Sequence, residues 1–81
     1  MDRVLKFSAK WCGPCQGLKM AMADVDFGIH IEDIDIDDNR DTAIEYGIRS
    51  VPTMILIRND SEAKRMSGVK SIEEIRKWIQ E

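Results

Sequence analysis

Both cysteines of this chain lie in one hexapeptide, Lys10-Trp11-Cys12-Gly13-Pro14-Cys15, directly after an apolar run (Val4, Leu5, Phe7) and directly before a helical pattern. That order leaves few folds open, because a strand, a helix and a second strand in succession favour a parallel pair joined by a right-handed crossover. It also sets the chemistry. The unpaired N–H groups and positive dipole end of a helix start stabilise a thiolate, which makes Cys12 the candidate nucleophile. Cys15, one helical turn further on, is close enough to attack a mixed disulfide on Cys12. Gly13 and Pro14 suit the turn into the helix, since proline lacks an N–H that the first turn would leave orphaned.

With 81 residues the chain has room for one domain, residues 1–81, built of one sheet and its covering helices. At 43% hydrophobic and 33% charged residues, with no repeat or low-complexity stretch, it has the composition of a globular protein. The longest apolar run, residues 54–57, is too short to cross a bilayer. Met1-Asp2-Arg3 leads into a strand rather than a signal-peptide core, so a cytoplasmic monomer without membrane contact is expected. A net charge of −3 and scattered basic residues offer nucleic acid no footprint.

Two cysteines spaced this way admit a structural bridge, a redox pair or part of a metal site. A bridge closing so small a loop constrains the unfolded chain little, and reducing compartments do not maintain it. A zinc site within one chain fails for want of ligands, since only His30 remains as a further nitrogen or sulfur donor of the usual type, although a site shared between two chains stays open. The run Asp33-x-Asp35-x-Asp37 starts like a calcium loop but has Asp38 in place of the glycine at its sixth position and Ile44 in place of the glutamate at its twelfth. Its alternation with isoleucine reads as strand.

Taken in order, residues 3–8 form a strand with Val4, Lys6 and Ser8 on one face and Leu5 and Phe7 on the other. The helix opened by the dithiol runs to about Asp24 with Leu18, Ala21, Met22 and Val25 as its buried stripe, and Met20 and Met22 fill core. Residues 29–36 alternate as a strand covered on both sides. Asp38 or Asn39 caps a short helix ending at Tyr46 and Gly47. Residues 51–58 form a third strand, Asn59-Asp60 a hairpin turn, and residues 62–67 an antiparallel edge strand whose Lys64 and Arg65 discourage further pairing. Ser71-Ile72-Glu73-Glu74 is a capping box starting a last helix, with Ile72, Ile75, Trp78 and Ile79 inward.

The stretch Trp11-Cys12-Gly13-Pro14-Cys15 resembles the active-site signature of the thioredoxin family, and Tyr46-Gly47-Ile48-Arg49-Ser50-Val51-Pro52-Thr53 resembles the family segment that carries a cis-proline beside the dithiol. Gly68 falls where the family has a glycine lining the substrate groove. The likeness runs from about Val4 to Ile79. It implies an α/β thioredoxin-like fold, a four-stranded mixed sheet of order 2-1-3-4 with helices on both faces, without the N-terminal strand and helix of full-length members. It also implies a protein-disulfide reductase with no cofactor beyond the redox-active Cys12–Cys15 pair. Disulfide-containing proteins would be its substrates and a thioredoxin-reductase-like protein its electron donor. A glutaredoxin-like enzyme fed by glutathione, or a non-enzymatic binding module, are the rival readings.

Read alone, Pro52 is an ordinary trans proline at a strand start. The resemblance implies a cis bond that turns the Val51 backbone toward Cys12, where it can pair with an extended substrate peptide. Trp11, Gly13, Pro14, Ile36, Val51, Pro52, Gly68 and Val69 are then the expected substrate surface, while Tyr46 packs its helix and His30 sits on a strand surface. One position departs from the family pattern. Thioredoxins usually bury an aspartate six residues before the nucleophile, with a lysine near it on the neighbouring strand; here the first position is Lys6 and the second Asp33. A buried lone lysine costs several kcal/mol, so Lys6 should pair with Asp33. In that reading Asp33, directly or through water, takes the proton of Cys15, and Lys6 favours thiolate.

Overall fold

A computed structural model describes residues 1–81. Its elements are β1 (Arg3–Ser8), α1 (Gly13–Met22), β2 (His30–Asp35), α2 (Arg40–Glu45), β3 (Thr53–Arg58), β4 (Ser61–Ser67) and α3 (Ile72–Gln80). The four strands form one sheet in the order β2-β1-β3-β4, with β1 and β2 parallel and the other neighbours antiparallel. This is the sheet order that the family resemblance implies, with helices on both faces.

Strand alternation decides what each face buries. Val4, Met54 and Leu56 meet Leu18 and Met22 of α1 and Ile75 of α3 on one face. Leu5, Phe7, Ile34, Ile55 and Ile57 form the core of the other face, where Tyr46, Ile48 and Val51 pack against them. The Tyr46 ring lies 5.8 Å from that of Phe7, so this residue packs the helix end as expected. His30 is exposed at the start of β2.

Local signals account for most boundaries. Ser71 accepts from the Glu74 N–H and Glu74 accepts from the Ser71 N–H, both at 3.1 Å, which closes the capping box of α3. Asn59 and Asp60 both hold positive φ (53° and 65°), the geometry of a primed two-residue hairpin turn. Gly47 (φ 63°) lets the chain leave α2.

Four details differ from the sequence expectation. α1 ends at Met22, not Asp24, and Met20 and Ala21 are exposed. At 100° per residue, Met20 points some 200° away from both Leu18 and Met22, so it leaves the core that they enter. β3 begins at Thr53, two residues late, because Val51 and Pro52 form a bend and proline has no N–H to give the ladder. The Asp33-x-Asp35-x-Asp37 alternation stops being strand after Asp35, whose Oδ1 accepts from the N–H groups of Asp37 (2.8 Å) and Asp38 (3.3 Å) to form a turn. Lys64 and Arg65 do not stand free on β4. Lys64 is half-buried with its ammonium 5.6 Å from the Trp78 ring centre, and Arg65 is bonded to Glu62.

Candidate active site

The turn between β1 and α1 is tied at one atom. The Ala9 carbonyl accepts from the Cys12 N–H and from Gln16 Nε2, each at 3.1 Å. Cys12 is thereby the N-cap of α1, in extended conformation, and its Sγ accepts from the Cys15 N–H at 3.2 Å. A sulfur held there faces the helix's free N–H groups, which stabilise negative charge. Cys12 and Cys15 are joined as a disulfide with Cα atoms 5.2 Å apart. Both are buried, Cys12 at 6% exposure and Cys15 at 3%. Gly13 and Pro14 are exposed in the first turn.

Several of the expected substrate residues surround this pair. Ile36 and Val51 pack on the cluster of Ala9, Cys12 and Cys15. The Val51 carbonyl lies 3.8 Å from Cys12 Sγ, and the Val51–Pro52 peptide is cis. Pro52 is buried, and its carbonyl accepts from the Gly68 N–H at 2.8 Å. Val69 follows, 54% exposed. Trp11 is 68% exposed, and its indole N–H donates to Asp37 Oδ2 at 2.9 Å.

On the other side of Cys15 the charged pair is formed. Lys6 Nζ lies 2.8 Å from Asp33 Oδ1; the lysine side chain is 7% exposed and the aspartate 59%. Both strands contribute, since Lys6 and Asp33 are register partners between β1 and β2. A cavity of about 210 Å³ has Cys15, Lys6, Asp33 and Gln16 among its lining residues, so the buried sulfur and the half-solvated carboxylate border one space. No group of three or more His, Cys, Asp or Glu side chains is arranged to hold a metal ion.

Comparison with known proteins gives the family. The thioredoxin family model matches residues 1–81. The chain belongs to the thioredoxin family. Among its relatives are the mitochondrial thioredoxin of Mus musculus, 32% identical over 94% of this chain and 48% of that protein, and the thioredoxin of Rickettsia conorii, 31% identical over 94% and 76%. A solved mutant thioredoxin from Halobacterium salinarum superposes with a TM-score of 0.87 at 29% identity, covering 98% of this chain and 72% of that one. The chain spans about half the length of the mouse and rat mitochondrial thioredoxins it matches (48%).

Three residues of this thioredoxin-fold site carry no motif of their own. Asp37 fixes Trp11 across 26 residues of sequence, Gln16 fixes the Ala9 carbonyl, and Arg65 reaches the Tyr46 carbonyl at 2.8 Å. For Gln16 a signal existed, because a polar side chain one residue after the dithiol lies over the strand end that precedes it. For the other two it did not.

Proposed function

We propose that the chain is a thiol–disulfide oxidoreductase that reduces protein disulfides, and the observation that carries this is the Cys12–Cys15 disulfide at the start of α1, with the Val51 carbonyl beside it. Reduced Cys12, as thiolate, attacks one sulfur of a substrate disulfide and releases the other as thiolate. Cys15 then gives up its proton and attacks Cys12 Sγ of the mixed disulfide. The second substrate thiol leaves, and the Cys12–Cys15 bond forms. Two electrons have moved to the substrate, and an external thioredoxin-reductase-like dithiol returns them.

The Lys6–Asp33 pair serves the second step. Asp33 receives the Cys15 proton through water in the shared cavity and passes it to solvent, and the Lys6 charge favours the Cys15 thiolate. Family members with an aspartate in the place of Lys6 bury the acceptor; here the acceptor is the more solvated partner. Trp11, Gly13, Pro14, Ile36, Val51, Pro52, Gly68 and Val69 form the surface that meets an extended substrate, which pairs with the Val51 backbone. The protein acts as a monomer in the cytoplasm, where dithiols are kept reduced; cell fractionation tests the location.

The deciding experiment is disulfide reduction in a small disulfide-bonded protein with either a thioredoxin reductase or glutathione as the electron source. Turnover with the reductase, abolished in Cys12→Ser and arrested as a mixed disulfide in Cys15→Ser, is the expected result. Turnover only with glutathione assigns the glutaredoxin-like reading, and none with either leaves a binding module. A dithiol potential of about −270 mV, the value established for thioredoxin itself, supports a reductant, whereas one of about −120 mV indicates an oxidant. Asp33→Asn slows mixed-disulfide resolution; an unchanged rate removes Asp33 from the mechanism.

A further inference from the structure

The segment 47–51 joins α2 to β3 and ends on the Val51 carbonyl beside Cys12. Three bonds from β4 and the residue after it hold this segment and its flanks. Arg65 Nη2 donates to the Tyr46 carbonyl at the segment's start (2.8 Å). Near its end the Thr53 hydroxyl donates to the Ser50 carbonyl (2.8 Å) and is met by Ser67 Oγ (3.1 Å). Just beyond it, the Gly68 N–H donates to the Pro52 carbonyl (2.8 Å).

Arg65 is itself oriented. Glu62 Oε2 accepts from its Nε at 2.6 Å and Oε1 from its Nη2 at 2.7 Å. Residues three apart on a regular strand point to opposite faces. The pairing shift between Leu56 and Ile57 leaves Ala63 as an extra residue on β4, and this bulge brings Glu62 and Arg65 to the same side. The hydrogen bond from Arg65 holds the Glu62 carboxyl below its ordinary range. Both side chains remain about one-third exposed, so as a surface ion pair the bridge has little stability to offer. Its distinctive feature is the third bond, to a carbonyl five residues before Val51.

We infer that Arg65, held in place by Glu62, is a positioning residue for substrate recognition: it fixes the Tyr46 end of segment 47–51, so that the Val51 carbonyl stands where an extended peptide can pair with it. The inference rests on the disulfide-reductase reading above.

The test sets Arg65→Ala against two disulfides, insulin and a small aromatic disulfide too short to pair with the Val51 backbone. KM for insulin should rise about tenfold with kcat nearly unchanged, because the loss is one of alignment, and the rate with the aromatic disulfide should hold. Arg65→Lys, which can reach the Tyr46 carbonyl without the forked grip on Glu62, should recover part of the KM. Glu62→Gln should give a smaller rise, and adding it to Arg65→Ala should add nothing, since the two act as one device. In the Arg65→Ala variant the Ile48 and Gly68 amides should exchange faster while Ile75 in α3 keeps its rate; a residue of purely structural importance would speed all three. Equal losses on both disulfides, an unchanged KM for insulin, or faster exchange throughout the chain overturns the inference. Inactivity of the unaltered protein on insulin refutes the reductase reading instead, and the local or global pattern of exchange then decides the role of Arg65 alone.

Discussion

The two faces of the sheet are closed by different means. On one, α1 and α3 press Leu18, Met22 and Ile75 into Val4, Met54 and Leu56. On the other, α2 buries no residue, its Ile44 is 76% exposed, and Tyr46, Ile48, Val51 and Ile36 from the connecting segments pack on Leu5, Phe7, Ile55 and Ile57 instead. The first face therefore rests on helical stripes and the second on loops. Val51 and Ile36 belong both to the second core and to the dithiol cluster, so packing and chemistry share residues there. On the helical face that overlap is confined to the start of α1, and the remainder is free to hold the chain together.

The sharpest way to break this contrast is to truncate one isoleucine on each side. Ile75→Ala empties a fully buried site on α3 and should cost about 3 kcal/mol, transfer and cavity terms together. Ile44→Ala, on the exposed side of α2, should stay within about 0.5 kcal/mol. Urea unfolding followed by far-UV circular dichroism gives both numbers. Equal losses would mean that α2 contributes to the core as α3 does, and the division between the faces would fail.

A smaller effect separates the starts of the same two helices. Ser71 caps α3 with its side chain, so Ser71→Ala should cost about 1 kcal/mol. Asn39 stands at the N-cap of α2 without a capping bond, and its Nδ2 donates backward to the Asp35 carbonyl at 3.0 Å. Asn39→Ala should then change helix stability far less than Ser71→Ala in the same unfolding assay. A loss at Asn39 matching that at Ser71 would show that α2 needs its cap as much as α3 does.

The same division governs what could be read from the chain in advance. Period-two spacing gave β1 and β2 their faces, helical spacing gave most of the buried stripes of α1 and α3, and Ser71-x-x-Glu74 marked the start of α3, because those signals depend on near neighbours in sequence. The Lys6–Asp33 pair was also legible, since the family pattern marks the two positions and a charge placed between apolar strand residues has to find a partner in the same layer. Met20 was misplaced although the spacing from Leu18 and Met22 already sent it outward. Asp37 under Trp11 and Arg65 on Tyr46 were not legible, because the first contact bridges distant segments and the second depends on a bulge at Ala63 that no turn residue announces. The helix-covered face was readable from its stripes; the loop-covered face, whose Ile36 and Val51 reach the dithiol cluster, was readable mainly through the family's motifs.

Acid gives the smallest and most discriminating test, because each face has one carboxylate held below its ordinary range. Glu74 is lowered chiefly by the hydrogen bond from the Ser71 backbone N–H, and Glu62 chiefly by the hydrogen bond from Arg65. A carboxyl that is more acidic folded than unfolded adds stability above its unfolded range and loses it as pH falls through the folded value. The advantage of the unaltered protein over Glu74→Gln should thus be full at pH 7 and shrink below pH 4.5, the ordinary glutamate value, as should its advantage over Glu62→Gln. Thermal unfolding at pH 7 and pH 3 reads both. The two losses differ in where they act: protonating Glu74 loosens the cap of a helix that packs on the core, whereas protonating Glu62 frees Arg65 and with it the segment leading to Val51. In the pH range that titrates Glu62 but leaves the protein folded, the protection of the Ile48 amide, its exchange rate taken relative to the unfolded-chain rate at the same pH, should fall in the unaltered protein and not in Glu62→Gln. A fall in both would mean that acid reaches the loop-covered face by some route other than this bridge.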